Sequence, residues 1–387
     1  MKFQALGSNY SLSWALRQLL ILGSASDSKA LTKALEKRFG GHAYLFSKGR
    51  DALSEAVRLS SEEGSSRIAI NSMTCSVVVE AATALDAPIA YLDIEPHSAH
   101  FSSSQFEAAL QAHADICAVV IQNTYGRMCN IRPIEKIARE HNVLIIEDLA
   151  HSIGQTYPDG REAGTVGDLV MLSFGRDKLL DVTNGGALIV RSPQLTRGLQ
   201  PASDYPSLLS QLRDRIYPIL SVGVRRLYDM KLGQVLLGLM YRLKLAERSA
   251  EGGIHRNTTM PHWKARLALE RLENLDALNA HRREIMSVYE SVFGDALVSS
   301  GGTIRAALSV SNRSATLDSL REHGYELSDT WYDTPIGPAR KYKRLNYPEQ
   351  DCPGAVALSR TIINLPTHDE ITEVDAKTIA EIIQQYV

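Results

Sequence analysis

Asp148 and Lys178 are the two residues of this chain whose types and settings most readily do chemistry together. Asp148 ends the apolar run Val143-Leu-Ile-Ile-Glu147-Asp148, and Lys178 closes Ser173-Phe-Gly-Arg-Asp-Lys178 just past the next apolar run, with Gly185-Gly186 following. An acid at the end of a buried strand beside a lysine past its neighbour suits pyridoxal 5′-phosphate (PLP). That cofactor needs an amine to condense with its aldehyde and a carboxylate to keep a proton on its pyridine nitrogen. Each residue alone has a plainer reading: Asp148 as a helix cap or arginine partner, Lys178 as a surface lysine in a loop. His151, three residues after Asp148, could lie against a bound ring, hydrogen-bond its phenolic oxygen, or serve as a core histidine. Ser47-Lys-Gly49-Arg50-Asp51 is a glycine-containing turn leading into a helix. Backbone N–H groups at such a helix start favour an anion, and Arg50 and the Ser173 hydroxyl could add donors to a phosphate.

Elements that could position these residues recur from about Ala43 to Val190. Strands are expected at Ala43–Phe46, Arg67–Ile70, Ala90–Leu92, Ala118–Ile121, Val143–Ile146, Leu169–Ser173 and Ala187–Val190. Helical patterns lie at Asp51–Leu59, Val77–Leu85 and Ile134–Glu140. Short continuous apolar runs alternating with helices predict an α/β fold, a mainly parallel sheet covered by helices on both faces, and ligands bind at the carboxyl ends of such strands. A long helical pattern runs from Pro261 towards Ile285. Strand-like Thr303–Leu308, a helix near Leu317–His323 and a last helix near Thr372–Tyr386 complete a smaller α+β region. The expected division is a large domain over 1–255 and a small one over 256–387.

Between these regions, residues 200–253 read as a helical insertion with an excess of basic residues: Arg213, Arg215, Arg225, Arg226, Lys231, Arg242, Lys244 and Arg248 against Asp214, Asp229 and Glu247. It either packs on its own domain or a partner subunit, or forms a basic amphipathic surface for anionic lipid. Leu16 to Leu22 is too short to span a bilayer and reads as one face of a helix. The 387 residues carry a net charge of −2, which gives no global field towards nucleic acid. Cys75, Cys117, Cys129 and Cys352 show no metal spacing and read as free thiols of a reducing, cytoplasmic compartment. No metal site is expected.

Six ordered motifs resemble the DegT/DnrJ/EryC1/StrS family of sugar aminotransferases, of PLP fold type I. Ser47-Lys-Gly-Arg-Asp-Ala-Leu53 resembles the family's phosphate turn, Tyr125-Gly126 its Leu-Tyr-Gly loop, and Ile146-Glu-Asp-Leu-Ala-His-Ser-Ile-Gly154 its Ile-Glu-Asp segment. Gly167-Asp168 with Ser173-Phe-x-x-x-Lys178 and Gly185-Gly186 resembles the lysine segment, Asn257-x-x-Met260 the Asn-Tyr-Arg-Met stretch, and Asn364-Leu-Pro-Thr-His368 the Ser-Leu-Pro-x-His ending. The resemblance implies that Lys178 carries the cofactor and shuttles the proton, that Asp148 holds the ring nitrogen, and that Gly49, Arg50 and Ser173 bind the phosphate. It implies that Asn257 reaches the cofactor of the neighbouring subunit, hence a homodimer. The expected activity is transfer of an amino group, from glutamate or a similar donor, to a keto sugar. A PLP lyase or condensing enzyme, and a degenerate binding protein, are the alternatives. The departures are Cys75, where the family usually stacks an aromatic residue on the cofactor, Thr259 in place of arginine, and Arg176-Asp177 in place of a small or apolar pair.

Overall fold

The computed structural model describes residues 2–3, 9–61, 66–199, 201–228, 230, 232–242, 252–327 and 330–387. Its centre is a seven-stranded sheet in the order His42–Phe46, Gly186–Val190, Leu169–Ser173, Leu144–Asp148, Ile116–Ile121, Arg67–Asn71, Ile89–Leu92. All pairs are parallel except the two made by Gly186–Val190, which runs antiparallel to both neighbours. The 12 residues linking Ser173 to Gly186 contain no helix, and a return strand needs none.

Side chains alternate between the two faces, as the pleat requires. Val119, Ile145, Val170 and Ile189 pack on one side with the Ala25–Phe39, Ile131–Glu140 and His262–Glu273 helices. Ile70, Val120, Ile146 and Met171 pack on the other with the Gly49–Ser60 and Ser76–Thr83 helices. A third apolar cluster joins the antiparallel pair Arg305–Ser309 and Ile362–Pro366 to the Leu275–Phe293 and Glu373–Ile383 helices. The helical pattern from Pro261 is therefore two helices, not one. Asn274 is both the last cap of His262–Glu273 and the first of Leu275–Phe293, its Nδ2 donating back to the Glu270 carbonyl at 2.7 Å.

Register places the chemistry. Phe46, Gly186 and Ser173 lie in one row across three strands, so the Ser47–Gly49 turn, the Gly185-Gly186 step and Ser173 share the sheet edge on which Asp148 ends.

In the insertion, the Leu208–Leu227 and Leu232–Arg242 helices cross closely at Gly233. A Cβ there would fall 2.3 Å from the Val224 carbonyl oxygen. Their buried side, including Tyr217, Val222, Val224 and Met240, packs with Tyr10 and Ala15 beside the Leu12–Leu20 helix. Of the basic residues described in these helices, Arg226 and Arg242 are exposed, and Arg213, Arg215 and Arg225 are half-buried. Arg215 donates to the Gln18 and Leu19 carbonyls and lies over the Trp263 ring, and Arg225 reaches Asn9 and Tyr10. The outer face also carries apolar side chains, with Leu208, Leu209, Leu212, Val235 and Leu239 exposed, and Leu16, Leu20 and Leu22 exposed on and after the neighbouring helix. The long stems of these arginines are held inward because their guanidinium groups find backbone carbonyls there. Asp229, Lys231, Lys244, Glu247 and Arg248 lie outside the described residues. Among the described residues, no helix is long and apolar enough to cross a membrane. All four cysteines are free thiols.

Candidate active site

A cavity of about 430 Å³ opens at the carboxyl edge of the sheet. Gly49, Arg50, Cys75, Asp148, His151, Ser173 and Lys178 all line it. Of the candidate residues that the sequence offers, Asn257 alone stands outside it. Asn257 is exposed, and its carbonyl accepts from the Ser203 and Asp204 N–H groups at 3.1 and 3.0 Å.

The floor follows from close backbone approach. A Cβ on Gly49 would lie 2.7 Å from Ser173 Oγ, and one on Gly186 would lie 2.6 Å from the Gly49 Cα, so both glycines are required by contact alone. The helix starting at Gly49 is preceded by Lys48, whose side chain makes no capping bond. The start of this helix, an end that favours an anion, stands next to the Ser173 hydroxyl, with the Asp51 N–H donating to the Lys48 carbonyl at 3.2 Å. Asp51, behind them, is engaged by Ser47 Oγ at 2.9 Å and the His255 N–H at 2.8 Å. Arg50 donates through Nη1 to the Gly252 carbonyl at 2.6 Å, which ties this turn to the end of the insertion.

Asp148 is buried and accepts from the Ala150 N–H at 2.9 Å. Burial pushes its carboxyl up to about 6, with the Ala150 bond and the Lys178 charge opposing. Burial likewise lowers the Lys178 amine, opposed by Cys75 and Asp148, which favours a reactive neutral amine. Glu147, the preceding residue, faces the other way. It accepts from Tyr157 Oη, and from the Gly164, Val166 and Gly167 N–H groups at 2.5–2.9 Å. Adjacent acids on one strand thus take opposite tasks: Glu147 holds a loop, and Asp148 faces the cavity.

His151 accepts the Tyr125 N–H on Nδ1 at 3.1 Å, which assigns the ring proton to Nε2 and leaves that edge a donor. Burial, then the Lys178 and Arg305 charges, hold it well below the usual histidine range, so it stays neutral. Tyr125 sits at φ 57° and knits three parts of the site. Besides His151, its hydroxyl donates to the Trp331 carbonyl at 2.5 Å and accepts from Asn364 Nδ2 at 3.3 Å. Asn364 Oδ1 in turn accepts the Trp331 N–H at 2.6 Å.

Trp331 and Tyr332 carry no motif or spacing that marks them in the sequence. Trp331 lies 4.6 Å from Lys178 Nζ and 4.1 Å from the Arg305 guanidinium carbon, measured to its ring centroid. The His151 ring is 5.3 Å away at 31°. Cys75 lines the wall as a small side chain on the Thr74–Cys75 strand, which pairs with Ile336–Gly337, and the aromatic surface comes from Trp331 and Tyr332. Tyr217 and Tyr241 of the insertion also reach the cavity. The two departures before the lysine have partners. Arg176 lies 4.1 Å over the Tyr217 ring, and Asp177 pairs with Arg305 at 3.0 Å.

A family profile for the DegT/DnrJ/EryC1/StrS aminotransferase family covers residues 21–384. The chain belongs to this family. Among proteins it resembles is GDP-perosamine synthase of Caulobacter vibrioides, 27% identical over 154 residues, or 40% of this chain and 41% of that protein. The match thus spans less than half of that relative's length. A DegT DnrJ EryC1 StrS aminotransferase from Brucella abortus superposes with a TM-score of 0.71 at 20% identity, covering 97% of this chain and 94% of the other. A candidate sugar aminotransferase of Streptococcus pneumoniae, solved in its PLP form, gives 0.72 at 16%, covering 98% and 97%. The fold is that of PLP fold type I aminotransferases.

PLP is the cofactor of the family. The residues present fit it. The Gly49 turn is a cradle that a Cβ would fill, at a helix start whose N-cap side chain makes no bond, which suits a phosphate. A buried acid, Asp148, and a half-buried amine, Lys178, line one cavity.

Proposed function

We propose that this protein is a PLP-dependent aminotransferase that moves an amino group from an amino acid, glutamate foremost, to a keto sugar. The acceptor is nucleotide- or lipid-linked, and the product serves cell-surface polysaccharide or secondary-metabolite synthesis. The observation that carries the reading is the convergence of Lys178, Asp148 and the Gly49 cradle on one cavity. When bound, PLP supplies an electron sink for the carbon that bears the transferred nitrogen.

The chain's own residues have distinct tasks. Lys178 holds the cofactor, and when released moves a proton between donor carbon and cofactor, aided by the lowered basicity that burial gives it. Asp148 keeps a proton on the pyridine nitrogen. His151 donates from Nε2, its orientation set by Tyr125. The N-terminal turn at Gly49–Arg50 and Ser173 hold the phosphate. Trp331, Tyr332, Tyr217 and Tyr241 offer aromatic faces to a sugar and exclude water from it. Likeness to GDP-perosamine synthase supports the sugar acceptor.

The active unit in this proposal is a cytoplasmic homodimer with Asn257 supplied to the neighbour's phosphate. Its support is position: Asn257 is exposed, its carbonyl accepts from the Ser203 and Asp204 N–H groups, and Tyr205, Leu208, Leu209 and Leu212 just past Asp204 form an uncovered apolar stretch. The division into domains over 1–255 and 256–387 belongs to the same proposal. A peripheral membrane contact would fall on the insertion over 200–253, and flotation with anionic liposomes tests it; failure to float at low salt removes the idea.

Purified protein should carry a visible absorbance band that Lys178→Ala abolishes and glutamate bleaches. A colourless wild type that takes up no added PLP would refute the cofactor assignment. A band that no amino acid bleaches would refute transamination.

A further inference from the structure

A flat cofactor needs cover on its faces as well as groups at its edges. The Thr74–Cys75 strand offers little of it. Cys75 is half-buried and lines the large cavity with only a thiol. Its register partner, Gly337, has no side chain at all. The Cys75–Gly337 rung therefore leaves room on the wall of the cavity that Asp148, His151 and Lys178 also line.

Tyr332 occupies that room. It is 4% exposed and lines the same cavity, and its ring lies so close to Gly337 that a Cβ there would fall 2.9 Å from Tyr332 Cδ1. Trp331, one residue earlier, lines the cavity too, whereas neighbours on an extended strand face opposite ways. Tyr332 departs from the extended backbone at φ 58°, a left-handed conformation that bulky side chains rarely adopt. Its surroundings hold it there. The hydroxyl accepts from Gln122 Nε2 at 3.5 Å, and Gln122 Oε1 accepts in turn from Thr74 Oγ1. The Thr74 N–H donates to the Pro335 carbonyl at 3.0 Å, which ties the segment to the strand that bears Cys75. Tyr125 meets the ring edge-on, with 5.3 Å between centroids and 76° between planes.

The ring so fixed stands among the groups that would address the cofactor. The His151 ring is 6.1 Å away at 33°. Burial, then Cys75, Tyr125 and Asp148, push the Tyr332 hydroxyl well above the usual tyrosine range, so the side chain stays a neutral phenol. Such a ring presents a face of negative quadrupole, and a pyridine with a proton on its nitrogen is a cation. Aromatic pairs attract at centroid separations of about 4.5–7 Å, and a positive charge on the partner adds to the attraction. We propose that Tyr332 is the aromatic platform for the cofactor ring, supplied from the 330–338 segment into the space that the Cys75–Gly337 rung leaves. This narrows the aromatic faces open to the acceptor to Trp331, Tyr217 and Tyr241. The inference rests on the aminotransferase reading only through its cofactor, and the identity of donor and acceptor does not enter.

The test is calorimetric binding of pyridoxine 5′-phosphate to the cofactor-free full chain. This probe has the ring and phosphate of PLP but no aldehyde, so Lys178 cannot condense with it. Tyr332→Leu keeps an apolar side chain in the packed space but removes the aromatic face, and should weaken binding about fivefold. Tyr332→Phe keeps the face and loses only the hydroxyl, and should bind within about twofold of wild type. Adding Cys75→Tyr to Tyr332→Leu returns a ring to the same rung and should bring the affinity back towards wild type. Cys75→Tyr alone sets two rings on one space and should weaken binding. The near-isosteric Tyr332→Phe also keeps the test independent of folding: the tyrosine circular-dichroism change that the probe induces in wild type should be lost in it. Tyr332→Leu that binds as tightly as wild type, Tyr332→Phe that binds as weakly as Tyr332→Leu, or a tyrosine signal that persists in Tyr332→Phe each overturns the proposal. The two readings fail separately. A wild type that takes up neither PLP nor the probe sinks the cofactor assignment and the platform together, whereas tight binding that no substitution alters sinks the platform alone.

Discussion

Asp148→Asn separates what the fold needs from what the cofactor needs. In the cofactor-free protein Asp148 is 2% exposed, and burial raises its carboxyl from 3.8 to about 6. The folded chain then binds more protons than the unfolded chain between those two values, so stability falls as pH rises through that window. The shift of about two units corresponds to about 3 kcal/mol at 1.36 kcal/mol per unit. At pH 7.5 nearly all of that penalty is present; at pH 3.5 the acid is neutral in the folded chain and mostly neutral in the unfolded one, and nearly all of the penalty is gone. The substituted amide keeps the shape of the side chain and can still accept the Ala150 N–H, but carries no charge. For a chain of this length, with unfolding entropy near 2.1 cal/mol/K per residue, 3 kcal/mol is about 4 °C in Tm. Cofactor-free Asp148→Asn should therefore melt about 4 °C above wild type at pH 7.5 and level with it at pH 3.5. With PLP the order should invert, because the protonated ring nitrogen offsets the buried charge in wild type and finds no anion in the variant. The assay is scanning calorimetry of both proteins, with and without PLP, across that pH range. A variant no more stable than wild type at pH 7.5, or a gain that persists undiminished to pH 3.5, refutes the reasoning.

Gly49→Ala should weaken PLP binding at least tenfold, read by fluorescence titration, because the new Cβ meets Ser173 Oγ at 2.7 Å. Tyr125→Phe leaves the Trp331 carbonyl without its donor and the Asn364 amide without its acceptor. It should cost about 1–3 kcal/mol in urea unfolding and lower kcat, because Trp331 is no longer held against Lys178. Glu147→Gln removes the charge that four donors share, and should destabilise by about 2–4 kcal/mol on the same measure without shifting the cofactor band. Arg176→Ala should release Tyr217 and raise the KM for the keto acceptor while sparing the glutamate half-reaction.

The sheet and its carboxyl edge were legible because each strand is a short apolar run bounded by helical or turn residues, and the observed strands overlie every expected one within three residues. The reversed direction of Gly186–Val190 was available in principle: no helical pattern separates it from Ser173, and a parallel crossover needs one. Asp148, Lys178, Gly49 and Ser173 were legible because they sit within a few residues of strand ends, where register fixes position. Trp331 was not. It lies more than 150 residues from Lys178, and its place depends on Asn364 and Tyr125, a hydrogen-bond network with no sequence period. The outer face of the insertion is hidden for a related reason. Composition counts arginines but does not say which have backbone carbonyls within reach, and Arg215 and Arg225 do.

Arg176 and Asp177 tie these unread parts together. As isolated departures from the family pattern they only put charge beside the lysine. In the fold each is one end of a clamp. Arg176 covers Tyr217, so the insertion is docked on the wall of the large cavity. Asp177, held at φ 64°, grips Arg305, whose guanidinium lies over the Trp331 ring. The two residues before Lys178 thus fix the insertion on one side and the Trp331 roof on the other. An apolar pair could do neither, since both anchors are cationic or carboxylate contacts in a dry setting. Substituting Arg176-Asp177 by a small apolar pair should therefore leave Lys178 in its place between the Leu169–Ser173 and Gly186–Val190 strands and PLP still bound, yet lose both walls. Trp331 fluorescence would report the release of the roof, and the KM for the acceptor would rise with it. A double variant that loses the cofactor band while its tryptophan emission is unchanged would show that the pair acts on the lysine directly and not on the walls.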